Sequence, residues 1–145
     1  MNLRDVIPTA EYSSNFNVVP ESITEVGTTL ENLKAAVCGE TGASAKYAAC
    51  AAAAKEQGFD QIARLFEATS AAEQIHIGLE AGVIAEIEPG YERPAAPEAE
   101  GIATDLNLIA GALGEIYETS DMYPSFIKVA QEEGNKKAEF VFTRA

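Results

Sequence analysis

The stretch TLENLKAAVCGE, residues 29–40, returns 75 positions later as TDLNLIAGALGE, residues 104–115. Thr29, Asn32, Leu33, Ala35, Gly39 and Glu40 recur as Thr104, Asn107, Leu108, Ala110, Gly114 and Glu115. Farther along the offset becomes 76, with Gly58 and Phe66 recurring as Gly134 and Phe142. The one-residue slip falls near Pro124, where a ring without an N–H predicts a kink or local bulge. Self-similarity at a fixed period marks a duplicated unit, and this unit is a helical hairpin.

The helix signals agree. Thr28 and Glu31 have the spacing of a capping box. From there to Gly58 the chain is alanine-rich and free of proline, with Leu33, Val37, Tyr47, Ala51 and Ala54 at helical spacing. A second helix is expected from about Asp60 to the neighbourhood of Ala85, with Ile62, Phe66, Thr69 and Val83 on one stripe. EIEPGYERPAAPEAEG, residues 86–101, then breaks every helical signal and is far longer than the usual connection between bundle neighbours. A third helix is expected from near Thr104 to Gly134, and NKKAEFVFTRA, residues 135–145, reads as the first three turns of a fourth. Tight joints after the first and third helices and a long crossover between the second and third describe an all-α, ferritin-like four-helix bundle, its fourth helix incomplete. Residues 1–27, with Pro8, Pro20 and Gly27 and no sustained period, read as an extended N-terminal arm ahead of a domain at 28–145.

At 145 residues the chain fits one domain, and 47% apolar content suits a packed core. Ten basic against 23 acidic residues give a net charge of −13, which excludes a phosphate-binding footprint and so argues against nucleic acid. Cys38 and Cys50, twelve residues apart on one helix, are separated by about 18 Å, too far for a disulfide, and read as reduced core residues. Without a signal segment or a membrane span, the expected location is the cytoplasm.

The acids carry the chemistry. Glu40 shares the apolar face of helix 1 with Val37 and Tyr47, and Glu115 and Glu118 share that of helix 3 with Leu108 and Met122. On helix 2, Glu73 and His76, the single histidine, follow Phe66 and Thr69. One such acid alone reads as a surface-edge glutamate. Four with a histidine, on inward stripes of three helices, are reconciled by a pair of divalent cations, for which carboxylate and imidazole suit iron or manganese.

On these residues the chain resembles the rubrerythrins. The resemblance rests on AVCGETGASAKY, AAEQIH and GEIYETSDMYPSFIKVAQEEG, and covers residue 28 to the end. It implies that Glu40, Glu73, His76, Glu115 and Glu118 are metal ligands, with Glu73 and Glu115 bridging, and that Tyr47 and Tyr123 stand near a diiron centre as partners of ligands or of peroxide. The implied activity is reduction of hydrogen peroxide to water at two iron ions, for which manganese or zinc can substitute, with an external electron donor such as a rubredoxin.

The sequence departs from the family in having no rubredoxin-like part. The repeat also puts the partners of Glu73 and His76 at positions 149 and 152, past Ala145. The expectation is therefore a truncated form, or a fourth helix completed by another copy, with incomplete metal occupancy and assembly as a homodimer or larger oligomer. The alternatives in other classes are an iron-storage module without turnover and a metal-free helical fragment.

Overall fold

Thr28 starts the first helix through two reciprocal bonds. In the computed structural model, which describes residues 22–145, its hydroxyl accepts the Glu31 N–H at 3.3 Å and the Glu31 carboxylate accepts the Thr28 N–H at 2.8 Å. Helix α1 spans Thr29–Glu56 and stops at Gly58, whose φ of +84° is the left-handed conformation that ends a helix. Helix α2, Asp60–Ile87, returns along α1. A polar seam joins the pair: the Ser44 hydroxyl lies 3.0 Å from the Ser70 carbonyl, and Gln74 donates to Ser44 Oγ at 2.8 Å.

The crossover then lies against α1. A Cβ on Gly101 would stand 2.5 Å from the Ala49 carbonyl oxygen, so only glycine lets the chain come this close. Helix α3 spans Thr104–Tyr117, a π segment spans Glu118–Met122, and α4 spans Tyr123–Glu132. The single helix expected from Thr104 to Gly134 is thus two α-helices around a π turn. Pro124 has no N–H to offer the preceding turn, and the hydroxyls of Thr119 and Ser120 bond back to the carbonyls of Glu115 and Ile116, at 2.8 and 2.5 Å. The bulge read from the repeat slip is this segment, which inserts one residue. Helix α5, Lys136–Phe142, is capped by the Asn135 side chain and has about two turns rather than three.

The duplication is visible in paired bonds. The Asn32 side chain clasps the Gly27 backbone at 2.8 and 3.2 Å, and its repeat partner Asn107 clasps Ile102 at 3.2 and 3.0 Å. Thr29 N–H donates to Glu133 at 3.1 Å, and Thr104 N–H donates to Gln57 at 2.9 Å. Tyr47 packs on Phe66 at 6.0 Å between ring centroids, as Tyr123 packs on Phe142 at 5.9 Å. The two halves are therefore related by a pseudo-twofold, and two apolar clusters lie toward opposite ends of α1. Leu33, Val37, Ile84, Phe126 and Phe142 centre one; Tyr47, Cys50, Ala54 and Phe66 centre the other. Between them, α1 turns Glu40, Thr41 and Ser44 inward.

Two further sequence expectations meet the structure here. Cys50 is buried as expected, but Cys38 is exposed, because it falls on the solvent side of α1; both are free. Helix α3 fully buries only Thr104 and Asn107 and leaves Leu106 and Leu113 exposed. Among the described residues no helix is long and apolar enough to cross a membrane. Residues 1–21 of the arm lie outside the described residues.

Candidate metal centre

The repeat brings four helical segments to one point. Glu40 on α1 and Glu73 on α2 are 1% and 2% exposed, although each carries a carboxylate. His76, one turn after Glu73, sets its Nδ1 3.1 Å from Glu73 and 3.5 Å from Glu40. Glu115 lies two residues before the end of α3, and Glu118 opens the π segment.

Ligand atoms of Glu40, Glu73 and His76 lie within 4.8 Å of one another, and so do those of Glu73, Glu115 and Glu118. All five sequence-predicted ligand candidates therefore converge. Glu73 belongs to both groups; Glu115, the other carboxylate expected to bridge, belongs to one. Both tyrosines singled out in the sequence reach the cluster at repeat-related places: the Tyr47 hydroxyl donates to Glu115 at 2.5 Å, and the Tyr123 hydroxyl to Glu40.

Glu80 was not read from the sequence as part of this site. It is 0% exposed, one turn beyond His76, with its Oε1 2.9 Å from the Tyr123 hydroxyl. The signal was available, since Glu73, His76 and Glu80 are spaced three and seven residues apart on one helix face. Tyr123 touches both Glu40 and Glu80 yet carries one hydroxyl hydrogen, so the second contact requires a carboxyl proton. Glu80 supplies it: burial, with the Glu40 charge nearby, pushes its carboxyl up to about 8.

The same crowding acts throughout the site. Burial raises Glu73 and Glu118 to about 8, helped by neighbouring carboxylates. Burial also pushes up Glu40, but the hydrogen bond from His76 and others from Glu73 and Tyr123 outweigh it and hold this carboxyl below its ordinary value. Bonds to Glu40 and Glu73 lift His76 to about 10, so the imidazole is a cation in this arrangement. Burial and adjacent carboxylates hold the Tyr47 and Tyr123 hydroxyls well above the usual phenol range, which keeps both protonated.

Such a cluster has more negative charge than a buried site tolerates alone. Among the described residues, the buried Oε2 atoms of Glu40 and Glu80 have no hydrogen-bond partner. An orphaned carboxylate oxygen beside two sets of converging oxygen and imidazole ligands fits a hard or borderline divalent cation.

A helical bundle with a long crossover and a carboxylate–histidine cluster between its halves places the protein among the ferritin-like bundles. Within that class the chain belongs to the rubrerythrin family, whose model matches residues 31–145. It is 65% identical to nigerythrin of Nitratidesulfovibrio vulgaris across the whole chain, covering 72% of that protein. It is 36% identical to the rubrerythrin of the same organism over 116 residues, which cover 59% of that protein. The solved structure of nigerythrin in its fully reduced, all-ferrous state superposes with a TM-score of 0.89, over all of this chain and 72% of that one.

Proposed function

We propose that this chain is a non-haem diiron oxidoreductase that reduces hydrogen peroxide to water, taking electrons from an external donor such as a rubredoxin, in defence against oxidative stress. The observation that carries the reading is the shared place of Glu73 in two ligand groups, which suits a pair of ions better than one. Glu40, Glu73 and His76 would hold one iron, and Glu73, Glu115 and Glu118 the other. The all-ferrous state named for the similar nigerythrin structure supports iron as the metal, in preference to manganese or zinc.

When bound, a ferrous pair supplies two electrons, one from each ion, to the O–O bond of peroxide, which with two protons yields two waters. The chain's own residues do the rest. To hold the ions, His76 would give up its proton, and the Glu40, Glu73, Glu115 and Glu118 carboxylates would be ionised, with the cations' charge in place of the protons that neutralise them otherwise. Tyr47 and Tyr123 stay protonated and orient Glu115 and Glu40 through their hydroxyls. Tyr47 of one apolar cluster and Tyr123 of the other border the site, and the buried carboxylates of Glu40 and Glu73 act there in a medium of low polarity.

The test is anaerobic loading with ferrous iron, then peroxide consumption with an added reductant. One to two irons per chain and catalytic consumption are expected. Full iron without turnover would leave a binding or storage module, and no iron at all would refute the metal reading.

Residues 28–145 would form the metal-binding unit and 1–27 its N-terminal arm. The exposed Leu106 and Leu113 face on α3 supports assembly with a second copy, which light scattering checks. The two free thiols fit a reducing cytoplasm.

A further inference from the structure

Asp121 stands in the middle of the π segment, three residues after Glu118, and is 4% exposed. Its carboxylate faces an extended segment about 100 residues earlier in the chain. The Ser22 hydroxyl donates to Oδ1, the Ile23 N–H donates to Oδ2 at 2.9 Å, and the Ser125 hydroxyl approaches Oδ1 at 3.4 Å. Two residues on, the Thr24 hydroxyl lies 3.0 Å from that of Tyr117, the residue just before Glu118. The far end of the segment is fixed as well, by the Asn32 clasp on Gly27 and the Thr28 capping box. Ser22 to Thr28 is thus a strap, anchored at the start of α1 and bonded on both sides of Glu118, to Tyr117 at the end of α3 and to Asp121 in the π segment.

The pseudo-twofold sharpens this. At the 75-residue offset Asp121 lines up with Lys46, which donates to the Glu100 carbonyl in the crossover, so each half is strapped by the segment leading into the other half's first helix. In the first half the strapped helix is regular, and Ala43 stands where Glu118 does in the second. One long, flexible lysine suffices there. In the second half a short carboxylate takes several donors, at the one place where the helix has an inserted residue and an extra ligand candidate. A π turn has poorer backbone geometry than an α turn and is held by its surroundings.

We propose that Asp121 is a positioning residue for the Glu118 carboxylate, held by the Ser22–Thr28 strap so that Glu118 is set for the second metal position. The proposal rests on the reading of Glu118 as a metal ligand, and the experiment separates the two. The probe is cobalt(II) titrated into the 145-residue chain, followed by the visible absorption of each bound ion. The variants are Ser22→Ala combined with Thr24→Val, both outside the apolar core, then Asp121→Ala, and Ser22→Thr, which restores a hydroxyl.

Loss of the strap bonds should weaken the second cobalt about tenfold while leaving the first unchanged, an effect passed to Glu118 through the backbone of the π segment and of the size that loss of outer-shell support has at a metal site. Ser22→Thr should bind like the parent, and the altered variants should show a changed second-site spectrum, which a general loss of stability would not produce. Glu118→Gln is the control. If it weakens the second cobalt and the strap variants do not, the positioning role is wrong and the ligand reading stands. If Glu118→Gln also binds two cobalt ions like the parent, the ligand reading itself fails.

Discussion

Replacing Glu80 with glutamine tests the proton count of the metal-free site. The carboxyl is fully buried, touches Tyr123, and faces Glu40 from α1 and His76 and Glu73 from its own helix; burial raises it to about 8 from the model-compound 4.5. Below pH 4.5 the group holds its proton in both folded and unfolded chains, so its contribution is level. Above that, the unfolded chain releases the proton and the folded one keeps it, so stability falls as pH rises until the folded group also ionises near pH 8. At about 1.4 kcal/mol per pH unit, the loss between pH 5 and pH 7 comes to roughly 2–3 kcal/mol.

Glutamine has the size of the protonated acid and cannot ionise. Urea unfolding of the metal-free protein and of Glu80→Gln should therefore give similar stabilities at pH 5, and a variant more stable by about 2–3 kcal/mol at pH 7. His76, Glu73 and Glu118 titrate in both proteins, so most of their own contribution cancels and the difference reports Glu80 with its coupling to them. A difference that stays flat from pH 5 to pH 7 would show that Glu80 holds no proton in the fold, and the account of Tyr123 between two carboxylates would fall with it.

Glu73→Gln should weaken iron at both positions, whereas Glu40→Gln should weaken one, since only Glu73 belongs to both groups; metal analysis after gel filtration reads the difference. Tyr123→Phe removes the hydroxyl between Glu40 and Glu80 and should lower the stability of the metal-free protein by about 1–3 kcal/mol in thermal unfolding. Phe66→Ala and Phe142→Ala, repeat-related and buried in separate clusters, should each cost about 3–5 kcal/mol in chemical denaturation. Gly101→Ala should destabilise by about 1 kcal/mol or more, because its methyl group meets the Ala49 carbonyl and must push the crossover from α1.

The repeat of residues 29–40 at 104–115, the capping box at Thr28 and the proline-rich crossover were enough to read the helices, their joints and the bundle. These signals are local: hydrogen-bond spacing, caps and breakers act within a turn or two, so they are written in neighbouring residues. The inward placement of Glu40, Glu73, His76, Glu115 and Glu118 was legible for the same reason, because helical periodicity fixes the face on which a side chain stands. The slip from 75 to 76 near Pro124 even located the inserted residue, although the form of the insertion, a π turn, depends on how the surrounding helices hold it.

Contacts across the fold were decided by tertiary structure alone. Nothing within a turn of Asp121 indicates that Ser22 and Ile23 will bond to it from about 100 residues away. Glu80 lies on a readable face, but its 0% exposure depends on what α1, α4 and α5 bring against it. Cys38 and Cys50 share a helix, and their different burial follows from which side of α1 packs against α2 and α3. Burial, and with it the protonation of a carboxyl, is a property of several segments at once, and no one stretch of sequence contains it.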